Sequence, residues 1–315
     1  MNARVIVMCV LCVAAIAAAP FIGGDLGGET GAFVLTSLRI PRVLMACMVG
    51  AVLSLVGACY QTIFANPLAA PSTVGTTAGA TMGAMIAVLA GGAIGGLPGG
   101  LPLVAVFAFL AALGVSLFVA ALAGSGRARV NDVLLAGIAI SLATGAVSAG
   151  LQFTADQMQL FAAVQWSLGH LPQVNYRGVA MIAPFVLVTL AVLLAQTRAL
   201  QSLAAGEDRA HSQGVNVPKV RGIVLGVGAL GVAACVAWCG PIAFVGLIVP
   251  HMVRMGVGSS RRVLLPMSVL LGAAFLTGCD TAARLVLPGR ELPVGVLTAG
   301  IGAPLLVWLV ARGRR

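Results

Sequence analysis

Apolar runs long enough to cross a lipid bilayer follow one another along nearly the whole chain. They fall near residues 4–22, 42–63, 75–91, 101–123, 132–154, 178–197, 219–238, 242–256, 264–286 and 294–311. A membrane-spanning helix needs about 20 mostly apolar residues, so 315 residues accommodate ten crossings with short connections. Charge is correspondingly scarce. Charged residues make up 8% of the chain and hydrophobic residues 60%, whereas a soluble domain is about 25% charged. So few charges could not cover a water-facing surface of this size, and a disordered chain would be polar. The expected fold class is all-α, a polytopic membrane protein.

Glycine and proline mark the breaks between runs. Asn66-Pro67 and Ala70-Pro71 follow the second run, Gly91-Gly92 through Gly99-Gly100 follow the third, and Pro288-Gly289 follows the ninth. The eighth is short and interrupted by Pro250. No hydrophilic domain intervenes, so residues 1–315 read as one transmembrane domain. The longest polar connections are 23–41, 155–177 and 198–218. The first run, with Arg4 before it and Ala17-Ala18-Ala19 at its end, imitates a signal peptide. Pro20 would then occupy the first mature position, which is unfavourable for cleavage, so an uncleaved first helix is expected.

The formal net charge is +10, from 18 Lys+Arg and 8 Asp+Glu. With the N-terminus inside, the cytoplasmic face receives Arg4, Arg127, Arg129, Arg198, Arg209, Lys219, Arg221, Arg254, Arg261, Arg262, Arg312, Arg314 and Arg315. The outer face receives Arg39, Arg42, Arg177 and Arg290, with Arg284 near the outer end of the ninth run. Positive charge collects on the cytoplasmic side of membrane proteins, so both termini are expected inside and the number of crossings even. The one lysine, Lys219, lies between Pro218 and Val220. This excludes a Walker A phosphate loop, which needs Gly-Lys-Ser/Thr, and an ammonium-rich nucleic-acid patch.

Other function classes lack their signatures. Seven cysteines, an odd count lying in or beside apolar runs, argue against a disulfide framework or a zinc site. Cys235 and Cys239, one helical turn apart, read as packing residues. His170, His211 and His251 show neither HExxH nor HxH spacing, and no GxSxG is present. Gly75, Gly79 and Gly83 present one groove for helix packing, and Gly222 with Gly226 a second.

Three polar features remain. Ser141, Thr144, Ser148 and Gln152 share one helical face. They could line a hydrated path, or their hydroxyls could bond back to the preceding turn. Asp280 and Arg284 stand one turn apart and could neutralise each other or present the arginine to an external partner. The loop 199–218 contains Ala204-Ala205-Gly206-Glu207-Asp208-Arg209, with Gly214 beyond. Glu207 and Asp208 suit the first turn of a short helix and Gly214 its stop. Such a helix could dock a cytoplasmic protein or be a solvated connector.

Several ordered stretches resemble the FecCD family of ABC-transporter permeases. They are Arg39-Ile40-Pro41-Arg42, Asn66-Pro67-Leu68-Ala69, Gln165-Trp166-Ser167-Leu168-Gly169 and Gly206 through Val217. Further on they are Gly240-Pro241-Ile242-Ala243-Phe244-Val245-Gly246-Leu247-Ile248-Val249-Pro250-His251, Glu291 through Val296, and Gly302-Ala303-Pro304. The resemblance implies a ten-helix, type II importer permease in the cytoplasmic (inner) membrane. It implies a homodimer or a pair with a paralogous permease, and a translocation path between the two. Two cytoplasmic ATPase subunits would bind ATP and magnesium, leaving this chain without a cofactor or catalytic residue. Residues 203–215 would couple to the ATPase, and Ser141, Thr144, Ser148 and Gln152 would line the path. Arg39, Arg42 and Arg284 would meet acidic groups of a periplasmic or lipid-anchored substrate-binding protein; Arg290 matches the family pattern less well. The expected cargo is a ferric siderophore, with haem or vitamin B12 as alternatives. An ion-coupled secondary carrier is the competing class; such carriers place ionisable residues near mid-membrane.

Overall fold

The computed structural model describes residues 3–23, 28–92, 96–97, 101–124, 130–171, 175–287 and 291–312. Arg290 and the termini at 1–2 and 313–315 lie outside them, as do Arg127 and Arg129. Fourteen α-helices are described: α1 Ala3–Ala18, α2 Gly28–Phe33, α3 Ile40–Ile63, α4 Thr76–Ala87, α5 Leu103–Gly124, α6 Val130–Thr154, α7 Gln157–Ser167, α8 Tyr176–Ala195, α9 Thr197–Leu203, α10 Glu207–Ser212, α11 Val217–Cys239, α12 Val245–Val257, α13 Arg261–Leu285 and α14 Val294–Arg312. Two short strands, β1 Gly96–Leu97 and β2 Leu101–Pro102, pair antiparallel in the connection before α5.

Seven helical runs are long and apolar enough to cross a membrane, and three shorter apolar helices, Thr76–Ala90, Val245–Val257 and Val294–Trp308, stand in order between and after them. The ten correspond one to one with the ten expected crossings. Helices are the natural solution, because in lipid every backbone N–H and C=O must be satisfied within its own segment. The boundaries differ most at the second crossing. Residues 23–41 read as a polar connection, yet Gly31–Ile63 is one apolar helical run. A π-helical stretch, Val34–Arg39, joins α2 to α3, and Pro41 follows it within the same run, where it supplies no N–H to the preceding turn. The connection 155–177 likewise contains α7. Its start is built by Asp156, which accepts from Gln159 N at 2.8 Å while the Gln159 side chain accepts from Asp156 N at 3.1 Å.

The centre of the bundle is α3, buried over most of its length. It packs against α13, α12, α11 and α8. Small residues permit the close approach: a Cβ at Gly50 would strike the Gly272 backbone of α13, and one at Gly57 the Gly246 backbone of α12. The groove expected at Gly79 and Gly83 receives α5 at Ala111 and Phe107. Of the second expected groove, Gly226 faces Leu117 of α5, at 4.0 Å from an added Cβ, an ordinary contact and not a close approach. Tight positions of α11 lie on other faces, at Gly228 against Tyr60 and Gly231 against Thr189. Spacing identifies small residues but not the face that a neighbour covers.

Candidate functional site

On one side of the bundle, the π-helical join with α3, the end of α13 and the segment leading into α14 bring five charged residues together. Arg42 is only 6% exposed. Its Nε and Nη2 donate to Asp280 Oδ1 at 3.0 and 2.8 Å, and its Nη1 donates to Glu291 Oε2 at 2.7 Å. Arg284 stands 3.4 Å from Asp280 Oδ2 and donates to Thr281 Oγ1 at 3.3 Å. Arg39 donates to the carbonyls of Pro20 and Gly23. Arg39, Arg42, Arg284 and Glu291 line one cavity of about 320 Å³. Among the described residues, three guanidiniums against two carboxylates, Asp280 and Glu291, leave this cluster one positive charge in excess.

The three arginines selected from the sequence therefore converge, though not as free surface charges. Asp280 finds its main partner in Arg42, 238 positions away, rather than in its helical neighbour Arg284. Glu291 is a member of the site that sequence reasoning does not single out. Its signals were being one of only eight acidic residues and standing at the head of the family-like stretch Glu291 through Val296.

Beside this cluster lies the loop after α7. His170 N donates to Cys239 O at 2.8 Å and Gly295 N to Gly169 O at 3.0 Å. Gly169 and Gly240 both have positive φ, 69° and 67°. A Cβ on the first would strike Pro241 O, and one on the second Trp166 O. Three stretches separated in sequence, around 165–170, 239–242 and 293–295, thus meet at one point. Burial, then the Arg42 guanidinium, hold the His170 imidazole below its ordinary value of 6.5.

The second candidate region, α9 and α10, follows α8. Ala204, Ala205, Gly206, Glu207, Asp208 and Arg209 are all exposed, while Leu200, Leu203 and Ala210 are buried and anchor the turn. Gly206 adopts φ 112° with open space around it. Gly214, at φ 76°, ends α10. Its N donates to His211 O at 2.9 Å and Val215 N to Ala210 O at 3.0 Å, the paired bonds of a Schellman stop. Glu207 pairs with Arg221 of α11. The expected short helix, with acidic start and glycine stop, is present as α10.

The polar stripe of α6 faces inward. Ser141, Thr144 and Ser148 each donate to a carbonyl one turn back, at Gly137, Ile140 and Thr144, all at 2.8 Å. Thr144 and Ser148 are buried, and Ser141 and Gln152 half-buried. Gly137 of the same face packs on Thr73 and Val74, next to the start of α4. The open face of α6 carries Leu135, Ile138 and Leu142, with unfilled space beside Gly145 and Gly150.

The sequence pattern of the FecCD transport family matches residues 4–312. The hemin transport system permease protein HmuU of Yersinia pestis is 37% identical over 278 residues, covering 88% of this chain and 83% of that protein. The cobalamin import system permease protein BtuC of Halobacterium salinarum is 39% identical, over 90% and 74% of the two chains. The Fe(3+) dicitrate transport system permease protein FecD of Escherichia coli is 37% identical, over 91% and 88%. Among solved structures, an inward-facing conformation of a metal-chelate type ABC transporter superposes with a TM-score of 0.87 at 29% identity, covering 98% of each chain.

Proposed function

Since this chain belongs to the FecCD transport family, we propose that it carries a ferric siderophore across the cytoplasmic (inner) membrane, energised by separate ATPase subunits. It is a multi-pass ABC-importer permease and not itself an enzyme. The observation that carries the energised reading is the exposed turn Ala204–Arg209, held outside the bundle on α9 and α10 by buried Leu203 and Ala210. An exposed helical turn on a buried anchor transmits a push from a docked protein into α8 and α11. Closure of two ATPase subunits on ATP and magnesium would move this turn and switch access between the two faces. The positive-inside distribution supports placing both termini and this turn in the cytoplasm.

A second permease, either another copy or a paralogue, would pack along the open face of α6, whose apolar side chains and small residues suit a wide, weakly binding path. Ser141 and Gln152 would reach the path's edge, and Thr144 and Ser148 would stiffen the helix behind it. Arg39, Arg42 and Arg284 would present the net positive cavity to carboxylates of a periplasmic or lipid-anchored substrate-binding protein. Asp280 and Glu291 would hold two of the three guanidiniums in position.

Relatives named for hemin, cobalamin and ferric dicitrate transport match comparably well, so haem or vitamin B12 is the second reading. Reconstitution with the ATPase and the binding protein, followed by ATP-driven uptake of a ferric siderophore, hemin and cobalamin in parallel, decides between them. Uptake of hemin or cobalamin alone would replace the siderophore. Uptake driven by an ion gradient with no ATPase present would replace the ABC reading.

A further inference from the structure

A larger cavity, of about 500 Å³ and of mixed lining, lies at the other end of α13, beneath the turn just described. Leu203, Ala204 and Gly206 form one wall, and Gln61, Arg254 and Arg261 stand across from them. Arg254 donates to Gln61 Oε1. Gln61 is 4% exposed, and its amide nitrogen donates to the carbonyls of Gly246 and Leu247 at 3.3 and 3.2 Å, which turns Oε1 toward Arg254. Arg261 donates from Nη1 to Ser259 O at 2.8 Å, while its Nε is buried without a partner.

Three other guanidiniums have carboxylate partners: Arg42 and Arg284 share Asp280, and Arg221 takes Glu207, while Arg39 meets backbone carbonyls. Here, among the described residues, neither guanidinium meets a carboxylate. Two half-buried positive charges facing one cavity repel each other, and a polar contact to Gln61 does not cancel that repulsion. An anion entering the cavity would relieve it, and the guanidinium fork fits the two oxygens of a carboxylate. The wall that leads into the cavity is the exposed turn assigned to the ATPase, so a docked ATPase passes its own side chains across the mouth.

We propose that this cavity is the receptor for an acidic side chain of the ATPase subunit, gripped by Arg254 and Arg261, with Gln61 as the residue that positions Arg254. The inference rests on the docking reading and adds to it a second, electrostatic point of attachment. Pulling on α12 and α13 through these arginines would couple the ATPase to helices that the exposed turn does not itself belong to.

The test measures binding of the ATPase subunit to the permease in nanodiscs of uncharged lipid across a salt series. The forms compared are wild type, Arg254→Gln/Arg261→Gln, Arg254→Lys/Arg261→Lys and Glu207→Gln/Asp208→Asn. Wild-type affinity should fall with salt. The glutamine pair should bind more than about tenfold more weakly, with a flatter salt dependence. The lysine pair, keeping charge but losing the fork, should fall between them; it also serves should the glutamine pair fail to fold. Wild-type affinity and salt slope in the glutamine pair would overturn the inference while leaving docking at the turn intact, provided Glu207→Gln/Asp208→Asn still weakens binding. No binding by the wild-type permease would overturn the docking reading with it. A phospholipid or inorganic phosphate retained by the permease alone, lost from the glutamine pair and not displaced by the ATPase, would give the cavity to a phosphate anion instead.

Discussion

Arg42 holds two carboxylates from distant parts of the chain, Asp280 and Glu291. Removing one partner of a buried ion pair strands the other, at a cost of about 3–5 kcal/mol. Asp280→Ala should therefore lower the unfolding temperature of the purified permease markedly, whereas Glu291→Gln, at a half-exposed position, should lower it much less. Equal effects would mean that Asp280 is not the anchor of the cluster. His170 adds a pH dependence of definite sign. Its folded pKa lies below the ordinary 6.5, so the unfolded chain binds the proton first as the pH falls. The stability it contributes is fully present above about 6.5 and is lost as the pH falls through the lower folded value. His170→Gln should flatten the unfolding temperature between neutral and mildly acidic pH, and an unchanged slope would remove His170 from the account.

At the scale of elements, α10 and the loop after α7 depend on glycines with positive φ. Gly240→Ala sets a Cβ against Trp166 O as well as forcing the backbone, which should cost at least about 1–3 kcal/mol. Gly214→Ala meets open space and should cost only about 1 kcal/mol. Unfolding of the two variants side by side separates contact from conformation. Glu207→Gln with Asp208→Asn should leave membrane insertion intact while reducing substrate-stimulated ATP hydrolysis, and undiminished stimulation would make α10 a simple connector. The existence of α10 was legible because caps and stops are local: an acidic first turn and a glycine stop lie within eight residues. The orientation of α6 was not. Ser141, Thr144, Ser148 and Gln152 share a face by periodicity alone, but whether that face meets lipid, a path or α4 depends on where its neighbours pack. Hydroxyls that bond their own helix can face any of them.

For the whole molecule, the arginine cavity predicts a partner interaction governed by charge. Reversing Arg39, Arg42 and Arg284 to Glu should weaken binding-protein association most at low ionic strength, where screening is least. Arg39→Glu alone is the cleaner probe, since Arg42 also supports the fold; unaltered affinity in both forms would leave these as structural charges. The order and number of crossings were determined by the sequence itself, because hydropathy over about 20 residues decides partition into lipid independently of the rest of the chain. The π-helical join at Val34–Arg39 and the early start of the second crossing escaped that reading, since Gly31–Leu38 is too mixed in polarity to count as a span until it continues into α3. Only the tertiary structure decided which charges meet. Arg42, Asp280 and Glu291 are brought together, and Arg254 and Arg261 left without a carboxylate among the described residues, by the packing of α3 against α12 and α13. An interaction across more than 200 residues leaves no periodicity for a sequence to display.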